Sequence, residues 1–523
     1  MKKKLLSIFT FVLLLATAVP AVESLKNSKI GEMVSNAPPT RMAGNWTEMQ
    51  KLHALDGAEN DYFGDSVSLA GDTALIGVYR DDDNGNFSGS AYVFTSNGTT
   101  WTQQAKLLAS DGETMDYFGY SVSVDGNTAL IGAYNDNSKG SAYVFTRNGT
   151  TWTQQQKLQA SDGTIYDWFG YSVSLAGDTA LIGASGNDDD GNDSGSAYVF
   201  TRNGTTWTQQ AKLLASDGTT KDRFGSSVSV NGDTALIGAM GTFIASRPGF
   251  AYVFTRTGTT WTQEAKLLAS DGATSDWFAY TVSLAGKTAL IGAPHDDDSG
   301  NDSGSAYMFT RIGTTWIQQA KLLASDAEAD DFFGFSVSLD GSTALIGASH
   351  DDGVGYEFDS GSVYVFTRTD NIWTERQKLV ASDNASADYF GWSVSLDEDT
   401  ALISAPYDDD NGSQTGSVYV FTKESGTPGL KIYITGGIGV SANIINNGTE
   451  DATDVKCQIH VKGGILGMIN KTVNGAIDVL AGESKAVKTG LFLGLGPIAI
   501  TVNVADQEKT TKGIQFIIFS TVT

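Results

Sequence analysis

The sequence predicts an all-β protein whose main body is a closed ring of small sheets. Three observations carry that expectation. One paragraph of sequence recurs seven times, opening at Trp46, Trp101, Trp152, Trp207, Trp261, Trp316 and Trp373, at intervals of 51 to 57 residues. Within a copy there is no helical period, only short apolar runs separated by turn residues, which favours a ring of sheets over a helical solenoid. The copies are also cut unequally: the first begins with a Trp run ahead of any Phe-Gly run, and the seventh ends without one.

In the second copy four runs read as strands: residues 118–124, where Val122 and Val124 alternate with serines, then 128–133, 141–146 and 152–160. Glycine supplies the positive φ of tight turns at Asp125-Gly126 and Asn148-Gly149, and the other connections are longer and acidic. The first three runs are apolar on both faces, as sheets sandwiched between neighbours require. The Trp run carries Gln and Lys and belongs at the outer rim, where lysine discourages stray strand pairing. Inner triplets and rim strands balance only if residues 46–55 cross the seam and pair beside 417–422 in the last blade.

The pairs Phe63-Gly64, Phe118-Gly119, Phe169-Gly170, Phe224-Gly225, Phe333-Gly334 and Phe390-Gly391, each followed by a Leu-Ile-Gly-Ala type run and in one copy by Gly292-Ala293-Pro294, resemble FG-GAP repeats. The resemblance spans 46 to about 423 and implies the seven-bladed β-propeller of integrin alpha subunits and many secreted prokaryotic proteins. Two departures stand out: Ala279 replaces the glycine in the fifth copy, and the seventh reads Ser404-Ala405-Pro406. The integrin-type calcium loop is missing in every copy. Turns such as Ala70-Gly71-Asp72 stand in its place, so calcium does not carry over there.

The formal charge of −26, from 60 acidic and 34 basic residues, argues against nucleic acid or anionic lipid as partner. In a four-stranded blade the loop between strands two and three and the loop to the next blade emerge on one face. Both are acidic here. The first kind includes Asp81-Asp82-Asp83, Asp188-Asp189-Asp190, Asp296-Asp297-Asp298, Asp351-Asp352 and Asp408-Asp409-Asp410; the second carries a pair in each copy, such as Asp56 with Asp61 and Asp111 with Asp116. Arg147, Arg202, Arg256, Arg311 and Arg368 fall beside the tight turns of the opposite face, so the disc is expected to be polarised.

Aspartates alternating around a glycine suit the many-oxygen shell of Ca2+. The candidate ligands are Asp81, Asp83, Asn187, Asp189, Asp193, Asp296, Asp298, Asp302, Asp408 and Asp410. The alternative is that these loops are Asx turns, in which each aspartate accepts bonds from its own backbone. The paired aspartates before Phe-Gly read as repeated structural acceptors. The fourth copy has lost its acids and gained Phe243, Ile244 and Arg247, a candidate partner contact. His295 and His350 precede acidic loops at equivalent places, where a His/Asp acid-base or metal site is conceivable. No other unique constellation breaks the repeat symmetry, and the expectation is a chain without catalytic residues.

Lys2-Lys3-Lys4, an apolar run from Leu5 to Leu15 and small residues up to Ala21 read as a signal peptide over 1–21, followed by a flexible lead-in over 22–45. No later run is long and apolar enough for a transmembrane segment. A single cysteine, Cys457, excludes an intramolecular disulfide and reads as a small core residue. Sequons such as those at Asn97, Asn148, Asn203 and Asn447 read equally well as hairpin turns. After a linker over 424–430, strand-like runs at 438–445, 455–461, 486–492 and 498–504 describe a small β-sandwich over 431–523. The stretch with Asn446-Asn447-Gly448-Thr449 and Asp454-Val455 resembles Ig-like adhesion or spacer modules of prokaryotic surface proteins. Taken together, the sequence describes a secreted or cell-surface monomer that binds an extracellular protein or glycan. An extracellular hydrolase or lyase on a propeller scaffold is the alternative.

Overall fold

The structure, a computed structural model, describes residues 44–241, 247–352 and 358–423, and then 430–435, 440–446, 452–463, 468–479, 483–489, 496–504, 507–516 and 519–522. The expected signal peptide over 1–21, most of the lead-in, Phe243, Ile244, Asn447 and the linker residues 424–429 lie outside the described residues. Among those described, the only helical element is a single 3-10 turn at Asp136–Ser138.

Each repeat forms one antiparallel sheet of four strands in chain order. In the second blade these are Phe118–Asp125, Thr128–Ala133, Ser141–Asn148 and Thr151–Leu158. The last blade is assembled from both ends of the repeat region. Its first three strands, Val394–Asp397, Thr400–Ala405 and Ser417–Lys423, come from the seventh copy, and its fourth is Trp46–Leu52. That strand runs antiparallel from Trp46 opposite Lys423 to Leu52 opposite Val418, with a bulge after Glu48. The expected closure is present, with the strand ending at Leu52 rather than Leu55.

The serines of the first strands bind successive blades to one another around the axis. Their hydroxyl oxygens accept the backbone N–H of the next first strand: Ser68 from Val124, Ser123 from Leu175, Ser174 from Val230, Ser229 from Leu284, Ser283 from Leu339, Ser338 from Leu396 and Ser395 from Leu69, each at 3.0 or 3.1 Å. The seventh bond returns to the first blade, so the circle is closed. The second strands approach as tightly, through their glycines. A Cβ on Gly77 would lie 1.9 Å from the carbonyl oxygen of Gly119 in the next blade, and one on Gly132 would lie 2.1 Å from that of Gly170.

Each apolar core lies between two blades. Leu75, Val93 and Leu107 of the first blade enclose Phe118, Ile131, Tyr143 and Trp152 of the second. Phe118 is fully buried and meets Tyr143 edge-on at 5.3 Å, an arrangement that contributes roughly 0.5–1.5 kcal/mol beyond burial. The closing strand serves two such cores: Trp46 packs with Leu345, Val365 and Leu379, and Leu52 with Phe63, Trp101 and Val420.

The C-terminal region is a two-sheet sandwich. One sheet holds Leu430–Thr435, Ser441–Asn446 and Ser484–Lys488; the other holds Ile469–Val479, Ala452–Gly463, Gly496–Val504, Gln507–Phe516 and Phe519–Val522. They share a core that includes Ile444, Cys457, Ile459, Ile500 and Val502. Cys457 is 3% exposed and donates to the Val455 carbonyl, as a core residue. Ile469–Val479 escapes sequence reading because polar and apolar side chains are mixed without a steady alternation and only its ends are buried.

The inter-blade glycines give a sharp mutational contrast. Gly132→Ala, which must push against a backbone carbonyl, is expected to cost about 3 kcal/mol or more in chemical denaturation. Gly126→Ala, in an open turn at φ +56°, is expected to cost about 1 kcal/mol.

Candidate functional site

The lysine five residues after each blade-opening tryptophan turns onto the acidic face and gathers both kinds of acidic loop. In the first blade, Lys106 Nζ lies 3.0 Å from Asp56, 2.8 Å from Asp81 and 2.6 Å from Asp83. The Tyr92 hydroxyl bridges Asp56 and Asp81 at 3.0 and 3.3 Å, with Lys106 over its ring. The same node recurs with Lys157 on Asp111 and Asp136, Lys212 on Asp162 and Asp189, Lys321 on Asp271, Asp296 and Asp298, and Lys378 on Asp326 and Asp351. In the last blade the lysine is Lys51 of the closing strand, on Asp383, Asp408 and Asp410. These contacts place the two loop types on one face. They also correct the expected role of the rim lysines, which are committed to carboxylates rather than guarding an edge.

The proposed calcium ligands divide accordingly. Asp81, Asp83, Asp189, Asp296, Asp298, Asp408 and Asp410 each touch a lysine ammonium. Asn187 is buried and occupied by Ser196 and Asp167. Asp193 pairs with Lys221, and Asp302 with His295 Nδ1 at 2.7 Å. Asx turns are present at the same loops: Asp83, Asp298 and Asp410 donate their N–H to Asp81, Asp296 and Asp408 at 3.0–3.1 Å. Asp408 and Asp410, with Asp383, bring carboxylate oxygens within 4.8 Å of one another, and the Lys51 ammonium stands among them, so a cation there would have to displace it. Recurring lysine and tyrosine were the missed signal, because each stands at one fixed place in all seven copies. In the fourth blade Lys266 keeps only Asp217 and lies 3.3 Å over the Phe250 ring. There Arg247 pairs with Asp222 at 3.1 Å and stacks on Phe250.

Charge is unevenly relieved within this face. Burial opposes both charges of the node, but hydrogen bonding outweighs it, holding Lys106 above the usual lysine range and Asp56 below the usual carboxylate range. The second aspartate of each pair accepts a backbone N–H from three residues upstream, such as Asp61 from Ala58 and Asp331 from Glu328. Burial dominates at Asp61, Asp116, Asp276, Asp331 and Asp388. It pushes Asp61 and Asp116 up to about 6 and Asp331 and Asp388 up to about 7.

Nearer the axis the same face carries a collar of aromatic side chains that the sequence reading did not single out. Its sources are the residue before each Phe-Gly element, the residue after it, and the end of the second strand. The residue before has positive φ in every blade: Tyr62, Tyr117, Trp168, Arg223, Trp277, Phe332 and Tyr389, at 53° to 60°. For bulky side chains this backbone costs about 1–2 kcal/mol each. Rings of successive inner strands touch, with centroids 5.1 Å apart for Tyr120 and Tyr171, 5.2 Å for Tyr280 and Phe335 and 4.7 Å for Phe335 and Trp392. Trp392 leads through Tyr407 to Tyr62. His295 and His350 are part of the collar, against Phe332 at 4.9 and 4.5 Å, and burial lowers the His350 pKa. In the fourth blade Ser226 and Met240 leave a gap.

In the first blade a polar pair interrupts the collar, and in the fourth Arg223 takes the place of a ring and lies over Trp168. Arg80 lies 4.2 Å over the Tyr62 ring and donates to the Tyr79 hydroxyl at 2.7 Å. Asp65, beside it, accepts from the Trp392 indole, and its loss of water pushes it up to about 7 against the pull of Arg80. The signal for this pair lay in the repeat itself, since Asp65 stands where other copies place tyrosine, phenylalanine, tryptophan or serine.

Fold and site together define a β-propeller of seven blades with one acidic, aromatic-collared face. The model of the FG-GAP repeat matches residues 46–94, 101–145, 152–200, 207–254, 261–309, 316–366 and 373–421, and the chain belongs to that family. Among curated proteins no relative matches the chain.

Acidification should separate the two carboxylate sets. For Asp61, Asp65, Asp116, Asp331 and Asp388 the folded pKa is raised, so their contribution is fully present below the unfolded value near 4 and is lost as pH rises through about 6 to 7. For Asp56, Asp111 and their equivalents it is depressed, and their contribution is lost as pH falls below the usual carboxylate range. Denaturation midpoints are therefore expected to rise from pH 7.5 to about 5 and to fall steeply below about 3.5.

Proposed function

We propose that the protein is a secreted, non-catalytic binding or adhesion protein that presents the collared face of its propeller to an extracellular protein or glycan. The observation that carries this reading is the collar. Large, half-buried rings held in an unfavourable backbone conformation at one end of the axis make an amphipathic surface suited to recognition. FG-GAP propellers are scaffolds often used for adhesion or binding, which agrees. Secretion is supported by the basic and apolar start of the chain. The C-terminal sandwich is read as an Ig-like spacer. Among the described residues no helix is long and apolar enough to cross a membrane.

The test is an array of extracellular proteins and glycans probed with the full chain. Signals are expected to fall when Tyr120, Tyr280 and Trp392 are changed together to alanine. They are expected to persist when Arg147 and Arg202 on the opposite face are changed. Signals indifferent to the collar would sink the reading.

We also infer that lysine, rather than calcium, holds the acidic loops together. Lys106 is 15% exposed and Asp81 4%, so removing the ammonium leaves a buried carboxylate that keeps its hydroxyl and amide donors but has lost its cation. Chelator is expected to leave the thermal midpoint unchanged, whereas Lys106→Met should cost about 3–5 kcal/mol. A midpoint that drops in chelator and recovers with calcium would reverse this inference.

A further inference from the structure

Charge narrows what the collar can accept. The acidic loops on the same face oppose an anion, and Asp82, Asp297 and Asp409 remain exposed among them. A cation finds its natural position taken, because the chain's own Arg80 guanidinium lies over Tyr62 at 4.2 Å and over Tyr79 at 5.2 Å. A second cation beside Arg80 would be repelled. What remains is a neutral ligand with flat apolar faces and many hydroxyls. Aromatic faces with a few polar groups among them are the general form of such a site: here rings at Tyr120 and Trp392, with a carboxyl at Asp65 and a guanidinium at Arg80.

We propose that the collar is a seat for a neutral saccharide, with pyranose faces stacking on Tyr120 and Trp392 and hydroxyls bonding to Asp65 and Arg80. This rests on the reading of the collared face as the binding face and names its ligand class. The asymmetry of the collar supports it. Asp65 and Arg80 stand in one blade only, so a saccharide has one polar anchor rather than seven equivalent ones, and Ser226 leaves the wall without a ring in the fourth blade.

Calorimetric titration of the full chain tests the proposal, with cellotetraose, chitotetraose and mannotetraose as neutral probes and a heparin tetrasaccharide and tetra-arginine as charged ones. At least one neutral probe is expected to bind, and both charged probes to bind more weakly. Trp392→Ala and Tyr120→Ala should each weaken binding at least tenfold, Tyr120→Phe should largely retain it, and Asp65→Asn should weaken it without moving the thermal midpoint downward. Should Trp392→Ala not fold, Tyr120→Ala and Asp65→Asn carry the test. No heat with any neutral probe, or binding indifferent to these variants, overturns the proposal. Tetra-arginine binding that is lost in the same variants would overturn the saccharide assignment and leave the binding face standing. Array signals independent of the collar would overturn both.

Discussion

Adjacent blades of this propeller meet at their inner strands through backbone and serine hydroxyls. In six of the seven blades the second-strand glycine faces the carbonyl of the next blade's Phe-Gly or Phe-Ala element at a distance that leaves no room for a Cβ, and in the seventh Ser404 takes that place. The serine hydroxyls of the first strands then complete a circle of hydrogen bonds around the axis. From that close approach the rest follows. The phenylalanine of each element lies in the core between two sheets, and the residue before it has positive φ in every blade. The family's two sequence elements are thus the two sides of one contact, each pairing with its opposite number in the neighbouring blade.

The acidic face is stabilised from within. In six of the seven blades an ammonium enters a group of two or three carboxylates and is braced by a tyrosine hydroxyl, whereas in the fourth Lys266 meets Asp217 alone. The last node depends on Lys51, which arrives with the closing strand. Closure therefore does three things at once: it completes a sheet, fills two apolar cores and supplies the missing cation. The loops so held surround a collar whose rings pack on one another, and the face combines a rigid frame with amphipathic chemistry.

Much of this was legible in the sequence because repetition multiplies weak signals. A single Phe-Gly pair or a single Trp run says little; seven copies at nearly constant spacing, with the first and last cut unequally, specify a ring and its latch. The Asx turns were legible for the same reason, as was Cys457 as a core residue. The lysine nodes were not. Lys106 and Asp81 belong to different strands and loops, and a lysine on a mixed rim strand looks like any solvated charge until the sheet's twist sets it over Tyr92. Weakly patterned strands of the sandwich such as Ile469–Val479 were missed because their partners, not their own pattern, make them strands.

The sequence by itself determined the number of blades, their order, the closing strand and the face on which the acids lie, since these follow from period, turn chemistry and where the copies are cut. Only the tertiary structure decided which groups the acids meet and where the aromatic collar lies. Both depend on distances between residues roughly 25 to 55 positions apart, as in Lys106 with Asp81 or Tyr120 with Tyr171. Periodicity along a chain fixes which face a side chain leaves from, but only packing between blades sets which neighbour it meets.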